Sequence, residues 1–340
     1  MAATNIPTTT TTTTTVPPLF ISTATLHSLI THKSLIRHLK STLPSLSTTT
    51  NSPLRHSHQT TPSSSFLLMP SWSTSPSFPY LGVKLVTHHS NNSTLNLPGV
   101  HAIYVLFNSI TGQPLASIDA TELTLYRTAC VSALASSYLS REDAETLVMI
   151  GAGSLAPHLI KAHLTIRPSL KRVLVWNRTV QKARTLVDEL REEGGFEGVC
   201  FESNGCLEEV VRVGDIITCA TNSETPLVKG EDLKVGVHLD LVGSFTHSMR
   251  ECDDEALRRG RVFVDNEAAV VEAGELVGAF ERGVIRKDEI VGDLVELIKG
   301  EKFGRKDSEE ITVFKSVGSA VVDLLTAQKV YESYLDNQSG

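Results

Sequence analysis

The sequence predicts an α/β protein in which a Rossmann-type doubly wound parallel sheet is joined to a second, discontinuous α+β domain. Three observations predict it. Thr146 to Arg178 reads strand, glycine turn, helix, strand; apolar strand-length runs then alternate with helical patterns as far as Lys315; and four short β-like runs separated by turn residues precede them. Alternating strands and helices imply a parallel sheet covered on both faces, whereas successive short runs imply an antiparallel meander.

Residues 1–19 are low complexity, with unbroken threonine from Thr8 to Thr15. Such a stretch cannot bury apolar area and is expected to be disordered. Rich in hydroxyls and free of acids, it resembles a plastid transit segment, although it is short and lacks arginine; the protein is therefore expected in the plastid or, failing that, the cytoplasm. From Phe20 a helical pattern (Leu26, Leu29, Ile30, Ile36, Leu39, Leu43) is interrupted by Lys33, and a polar stretch from Ser45 to Ser65 carries Arg55 in a loop. The β-like runs are Phe66 to Met69, Val83 to Thr87, Val100 to Phe107 and Pro114 to Ile118. Their edges and small core are better protected in a dimer than alone. Asp119 and Glu122 have capping-box spacing and open a helix through Leu139.

After a linker from Ser140 to Ala144 comes the nucleotide unit. The run Leu147 to Ile150 stops at Gly151-Ala152-Gly153-Ser154-Leu155-Ala156, and a second strand, Val173 to Trp176, ends at Asn177-Arg178. Gly151 permits the tight turn, Gly153 lets the backbone approach a pyrophosphate, and Ala156 lets the helix lie close on the sheet. The phosphates then rest on a helix N-terminus, where free N–H groups and the dipole favour an anion. An NAD site carries an acid at the end of the second strand; here Asn177, Arg178 and, a turn later, Lys182 suit a 2′-phosphate, so the expected cofactor is NADPH rather than NADH. Further strands are expected at Val199 to Phe201, Asp215 to Ala220, Val237 to Val242, Arg261 to Val264 and Ile311 to Lys315. Helices are expected at Val180 to Glu192, near Glu267 to Leu276 and Lys287 to Leu297, and at Ser319 to Tyr334.

Composition narrows the function. The chain is 41% hydrophobic and 20% charged, as ordinary globular proteins are, and no apolar run reaches the length of a membrane span. Five cysteines without a CxxC pair read as reduced thiols. Before Asp119 there are no acids, while Lys33, Arg37, Lys40, Arg55 and Lys84 lie there with eight of the twelve histidines. A positive third beside a nucleotide domain suits a small anionic substrate; its sparse charges do not suit nucleic acid. His27, His56, His58, His88 and His89 have no metal-ligand spacing and no nearby carboxylate, so they read as polar loop residues and no metal is expected. Asp240, Asp265 and Asp293 read as capping or hydrated acids at element ends, and Asp323 as an ion-pair partner within the last helix.

Several separate stretches match one family. Met69-Pro70, GVKLVT from Gly82, LTLYRTA from Leu123, the glycine turn, Trp176-Asn177-Arg178, Cys219-Ala220-Thr221, LVGSF from Leu241, EAGEL from Glu272 and FKSVG from Phe314 resemble the ornithine cyclodeaminase/mu-crystallin family over about Phe20 to Tyr334, nearest to its plant ketimine reductase branch. The resemblance implies a homodimer with three parts: a dimerisation and substrate domain (20–139 with 315–340), a dinucleotide domain (140–314), and the leading segment 1–19.

The resemblance also implies that Arg55 and Lys84, with Arg127 close by, hold an α-carboxylate, and that Thr128, Thr221, Val242, Ser316 and Gly318 join Gly151 to Leu155, Asn177 and Arg178 around the cofactor. A guanidinium can bind a carboxylate by two parallel hydrogen bonds and an ammonium adds a compact charge. Where cyclodeaminases carry a catalytic Asp, this chain has Phe245, which disfavours cyclodeamination. The implied activity is reduction of a cyclic imino acid, dehydropipecolate, to pipecolate, in lysine-derived pipecolate synthesis and systemic acquired resistance. Two alternatives are another oxidoreductase of the fold and a non-catalytic binder of NADPH and small carboxylates.

Overall fold

The structure, a computed structural model, describes residues 17–95 and 97–339. The expected transit segment thus lies outside the described residues up to residue 16, and Leu19 already belongs to a strand. The first half contains β1 (Leu19–Ile21), α1 (Thr23–Leu29), α2 (His32–Leu46), β2 (Thr50–Asn51), β3 (His56–Thr61), β4 (Ser64–Ser73), β5 (Tyr80–His89), β6 (Val100–Asn108), β7 (Pro114–Asp119) and α3 (Ala120–Leu139). The second begins β8 (Thr146–Ile150), α4 (Ala156–Ile166), β9 (Arg172–Trp176), α5 (Val180–Glu193), β10 (Cys200–Ser203), α6 (Leu207–Val213), β11 (Ile216–Cys219) and β12 (His238–Leu241). It closes with α7 (Asp254–Arg259), β13 (Arg261–Val264), α8 (Ala269–Glu272), α9 (Gly274–Glu281), β14 (Gly292–Asp293), α10 (Leu294–Lys299), β15 (Thr312–Lys315) and α11 (Ala320–Ser339).

Among the described residues these strands form two sheets. The first has the order β1-β7-β6-β5-β4-β2, with β3 also on β4; β1 lies parallel to β7 and the rest is the expected antiparallel meander. The second runs β10-β9-β8-β11-β12-β15-β13-β14, parallel throughout. Its strands alternate between two cores. Leu147, Met149, Val173 and Val175 face a core shared with α2, α3, α4 and α11, while Val148, Ile150, Leu174, Ile217 and Leu239 face the opposite one. Each such Val or Leu contributes about 1.5–3 kcal/mol on burial. Because α3 packs on both sheets and α11 packs on the first sheet and on α3, one continuous core ties the halves together.

Local chemistry explains the departures from expectation. The helical pattern after Phe20 breaks at Ile30 rather than Lys33, because Thr31 caps α2 in a box with Ser34. Asp119 caps α3 as expected, but Glu122 does not complete the box; it pairs with His27 at 2.8 Å. The single helix expected near Glu267 to Leu276 is split at Ala273, and Gly274 lies where a Cβ would come 2.1 Å from the Met249 carbonyl oxygen. The helix expected from Lys287 starts only at Leu294, since Gly292 and Asp293 pair with β13 and Asp293 then caps α10. The histidines read as loop residues lie on α1, β3 and the end of β5.

Candidate active site

The glycine turn meets the requirements of a nucleotide. Gly151 has φ +109 and a Cβ there would lie 2.5 Å from the Ala220 carbonyl oxygen, so only glycine fits. Gly153 is exposed, and a Cβ on it would touch nothing within 4 Å, which leaves room for a pyrophosphate. Leu155 starts α4 without a side-chain cap and no acid stands in the first turn, so the free amides and positive dipole end are available to an anion. Asn177 steadies the turn: its Oδ1 accepts from Ala152 N at 3.2 Å and its Nδ2 donates to the Thr179 carbonyl. Ser154, Arg178 and Lys182 are exposed, and Arg178 pairs with no carboxylate among the described residues; Thr128 is half-buried on α3.

Beyond the carboxyl ends of β11 and β12 lies a group that sequence reasoning missed. Glu251, fully buried, accepts from Thr221 N at 2.7 Å and Thr221 Oγ1 at 2.9 Å with one oxygen, and from Gly243 N at 2.7 Å with the other. It ties together the two loops that follow Ala220 and Val242. Its own amide donates to Glu275 at 2.6 Å, and buried Lys315 donates to the Leu241 carbonyl at 3.0 Å. Burial pushes the Glu251 carboxyl up against the pull of Lys315. Nothing local marks this residue, which lies thirty positions from Thr221 in an irregular segment.

Three cations converge next to this edge. Lys84 on β5 is 3% exposed and its Nζ lies 2.7 Å from Asp323 Oδ2; Arg127 on α3 places Nε 2.9 Å from the other oxygen. Neither Asp323 oxygen has a hydrogen bond of good geometry, so these are ion pairs by distance, and two positive charges share one carboxylate. Burial lowers the Lys84 ammonium to about 8 in spite of Asp323, while for Asp323 burial is outweighed by Lys84 and Arg127 and its carboxyl stays below the usual range. Arg55, from the loop before β3, reaches Glu272 at 2.7 Å and donates to the Val317 carbonyl at 3.1 Å, bridging the two sheets. Gly318 has φ +85, and a Cβ there would lie 2.6 Å from Arg127 Nη1. Ser316 is buried at the end of β15 with its amide on the Leu241 carbonyl.

The acids read as capped or hydrated need correction. Asp240 is fully buried within β12, where Ser132 and Thr218 donate to it and burial raises it to about 7; Asp265 is also buried and accepts from Val317 N and Gly318 N. Asp293 does cap a helix. Among the described residues no group of His, Cys, Asp and Glu is arranged to hold a metal, and no helix is long and apolar enough to cross a membrane. Cys130, Cys219 and Cys252 are buried free thiols, Cys200 is exposed and Cys206 half-buried.

A Rossmann-type sheet whose carboxyl edge carries an open glycine turn, joined to a second sheet with buried cations, defines a dinucleotide-fold protein. The chain belongs to the ornithine cyclodeaminase/mu-crystallin family, whose model matches residues 18–338. It is 57% identical to Protein SAR DEFICIENT 4 of Arabidopsis thaliana, over 94% of this chain and 98% of that one. Among solved structures it is similar to the Delta(1)-pyrroline-2-carboxylate reductase of Thermococcus litoralis in complex with NADH and L-proline, with TM-score 0.89 and 31% identity over 94% of this chain and 98% of the other. An archaeal alanine dehydrogenase dimer with bound NAD gives TM-score 0.86 and 28% identity over 94% and 97%.

Proposed function

We propose that the protein is an NADPH-dependent ketimine reductase that converts the cyclic imino acid dehydropipecolate to pipecolate. The observation that carries this reading is the buried pair Lys84 and Arg127 sharing Asp323, with Arg127 against Gly318 just after β15 of the parallel sheet, and the pyrroline-carboxylate reductase similarity supports it. Arg55, Lys84 and Arg127 bind the α-carboxylate; Thr128 and the turn from Gly151 to Leu155 take the pyrophosphate; Thr221, Val242, Ser316 and Gly318 close the cofactor side. When bound, the reduced nicotinamide supplies a hydride. The residues of this chain fix the carboxylate, so that the adjacent imine carbon faces one direction, and such positioning contributes up to roughly 7–11 kcal/mol. The imine accepts hydride in its protonated form. Phe245, 43% exposed where cyclodeaminases carry an acid, offers no base for deamination.

The test is oxidation of NADPH by purified protein given the lysine-derived imine, beside the smaller proline-type imine and beside NADH. Consumption with pipecolate as product supports the reading. Binding of NADPH without consumption by either imine overturns it in favour of a binding protein.

Cofactor choice is part of the proposal. The solved neighbours hold NADH and NAD, so the preference for NADPH rests on Asn177, Arg178 and Lys182, where no acid follows Trp176. Arg178→Ala is expected to raise the KM for NADPH by about tenfold or more, the loss of one charge-assisted bond, with the KM for NADH unchanged. Equal effects on both cofactors would remove the 2′-phosphate role.

The Lys84 ammonium predicts a pH dependence. It is charged below about 8 and neutral above, so kcat/KM for the imino acid falls as pH rises through that value. Lys84→Arg stays charged and moves the fall to higher pH. An unmoved limb would assign it to the substrate's own proton.

A homodimer belongs to the same reading. The outer face of the first sheet carries rows Leu68-Leu85-Ile103, Pro70-Val83-Val105 and Trp72-Leu81-Phe107, none of them in a buried core. A second copy of this apolar face covers it. Val83→Glu is expected to give monomers by light scattering; an unchanged mass would place the interface elsewhere. In the same proposal the chain acts in lysine-derived pipecolate synthesis and systemic acquired resistance, and residues 1–19 direct it to the plastid.

A further inference from the structure

Asp265 directly follows β13 and is 9% exposed, yet it caps no helix. Its Oδ2 accepts from Val317 N at 3.1 Å and from Gly318 N at 2.8 Å, and its Oδ1 from Asn266 N at 2.9 Å. One carboxylate oxygen therefore gathers two successive amides of the segment that follows β15. That segment meets both arginines of the site. The Val317 carbonyl accepts from Arg55 Nη2 at 3.1 Å, and side-chain-less Gly318 gives the Arg127 guanidinium its seat. Arg55 comes from the loop before β3 and Arg127 from α3, and the piece of backbone that meets both is the piece Asp265 holds. Burial pushes the Asp265 carboxyl up to about 6 against its two amides and Arg127, so it is mostly ionised at neutral pH and accepts both bonds.

We propose that Asp265 is a positioning residue for substrate: through the 317–318 turn it sets the separation of the Arg55 and Arg127 guanidinium groups to fit the carboxylate of a cyclic imino acid. Asp265 itself touches no substrate. The inference rests on the proposed reading that these arginines hold that carboxylate. Replacing Asp265 with Asn keeps the shape but leaves one oxygen for three amides: with that oxygen on Val317 and Gly318 both bonds lose their charge assistance and Asn266 N faces an N–H, and with the amide flipped both turn amides lose their acceptor.

The test measures dissociation constants of L-pipecolate and of NADP+ by calorimetry, with full-length wild-type and Asp265→Asn protein. Expected is a loss of about tenfold or more for L-pipecolate, the worth of one hydrogen bond to a charged group, with NADP+ within about twofold of wild type. In turnover the KM for the imine rises while kcat changes less. A scaffold-only role would weaken both ligands together. Unchanged L-pipecolate binding in the variant overturns the inference alone. If wild-type protein binds NADP+ but not L-pipecolate, the functional reading falls and the inference with it. Should Asp265→Asn not fold, hydrogen exchange on wild type decides: saturating L-pipecolate is expected to slow exchange of the Val317 and Gly318 amides, and unchanged rates overturn the inference.

Discussion

Lys84→Met is expected to lower kcat/KM for the imino acid by about a hundredfold to a thousandfold while the dissociation constant of NADPH stays near that of wild type. The ammonium is one member of a buried charged contact, and truncating such a member costs about 2–5 kcal/mol, each 1.4 kcal/mol being a factor of ten. Methionine keeps the apolar stem within β5, and Asp323 keeps Arg127 at 2.9 Å, so the fold survives. The cofactor turn lies on the other sheet and does not involve Lys84. Steady-state kinetics with a parallel NADPH titration separates the two effects. Normal turnover would remove Lys84 from the carboxylate clamp, and equal loss of NADPH binding would make its role structural.

Gly151→Val is expected to abolish cofactor binding in the measurable range. Two costs add. A β-branched residue at φ +109 is strained by about 1–3 kcal/mol, and its Cβ would press on the Ala220 carbonyl oxygen from 2.5 Å. Ala220 cannot retreat freely, because its amide is bonded to the Ile150 carbonyl at 2.9 Å and the next residue is held by Glu251. The turn itself must therefore shift, which moves the amides at the start of α4 away from the pyrophosphate. Fluorescence titration with NADPH reads the loss. Wild-type affinity in the variant would show that the phosphates bind elsewhere.

The parallel sheet was legible in the sequence because its strands are buried on both faces and stand out as unbroken apolar runs such as Leu147 to Ile150 and Val173 to Trp176. The meander was legible for the same reason on its apolar rows. Two strands were not: β2 and β3 are built from Thr, Asn, His, Ser and Gln, and all of them but half-buried Thr50 are exposed, so main-chain pairing with β4 makes them strands. β1 is three residues long and depends on β7. In the site, the cations stood out as charges in apolar or family-like settings, and Lys84 within β5 was the clearest. Their partners were less legible. Asp323 read as an ion-pair partner in the last helix, but not which cations it pairs, and Glu251 and Asp265 act on backbone amides brought together only by the fold.

The most direct test follows the hydride itself. Protein given NADPH deuterated at its hydride carbon, together with the lysine-derived imine, is expected to yield pipecolate with one deuterium on the carbon bearing the carboxylate, as read by mass spectrometry and proton NMR. Pipecolate without deuterium at that carbon, or no product from a protein that binds NADPH, would contradict the assignment of Arg55, Lys84 and Arg127 to a substrate reduced by the nucleotide on the neighbouring sheet.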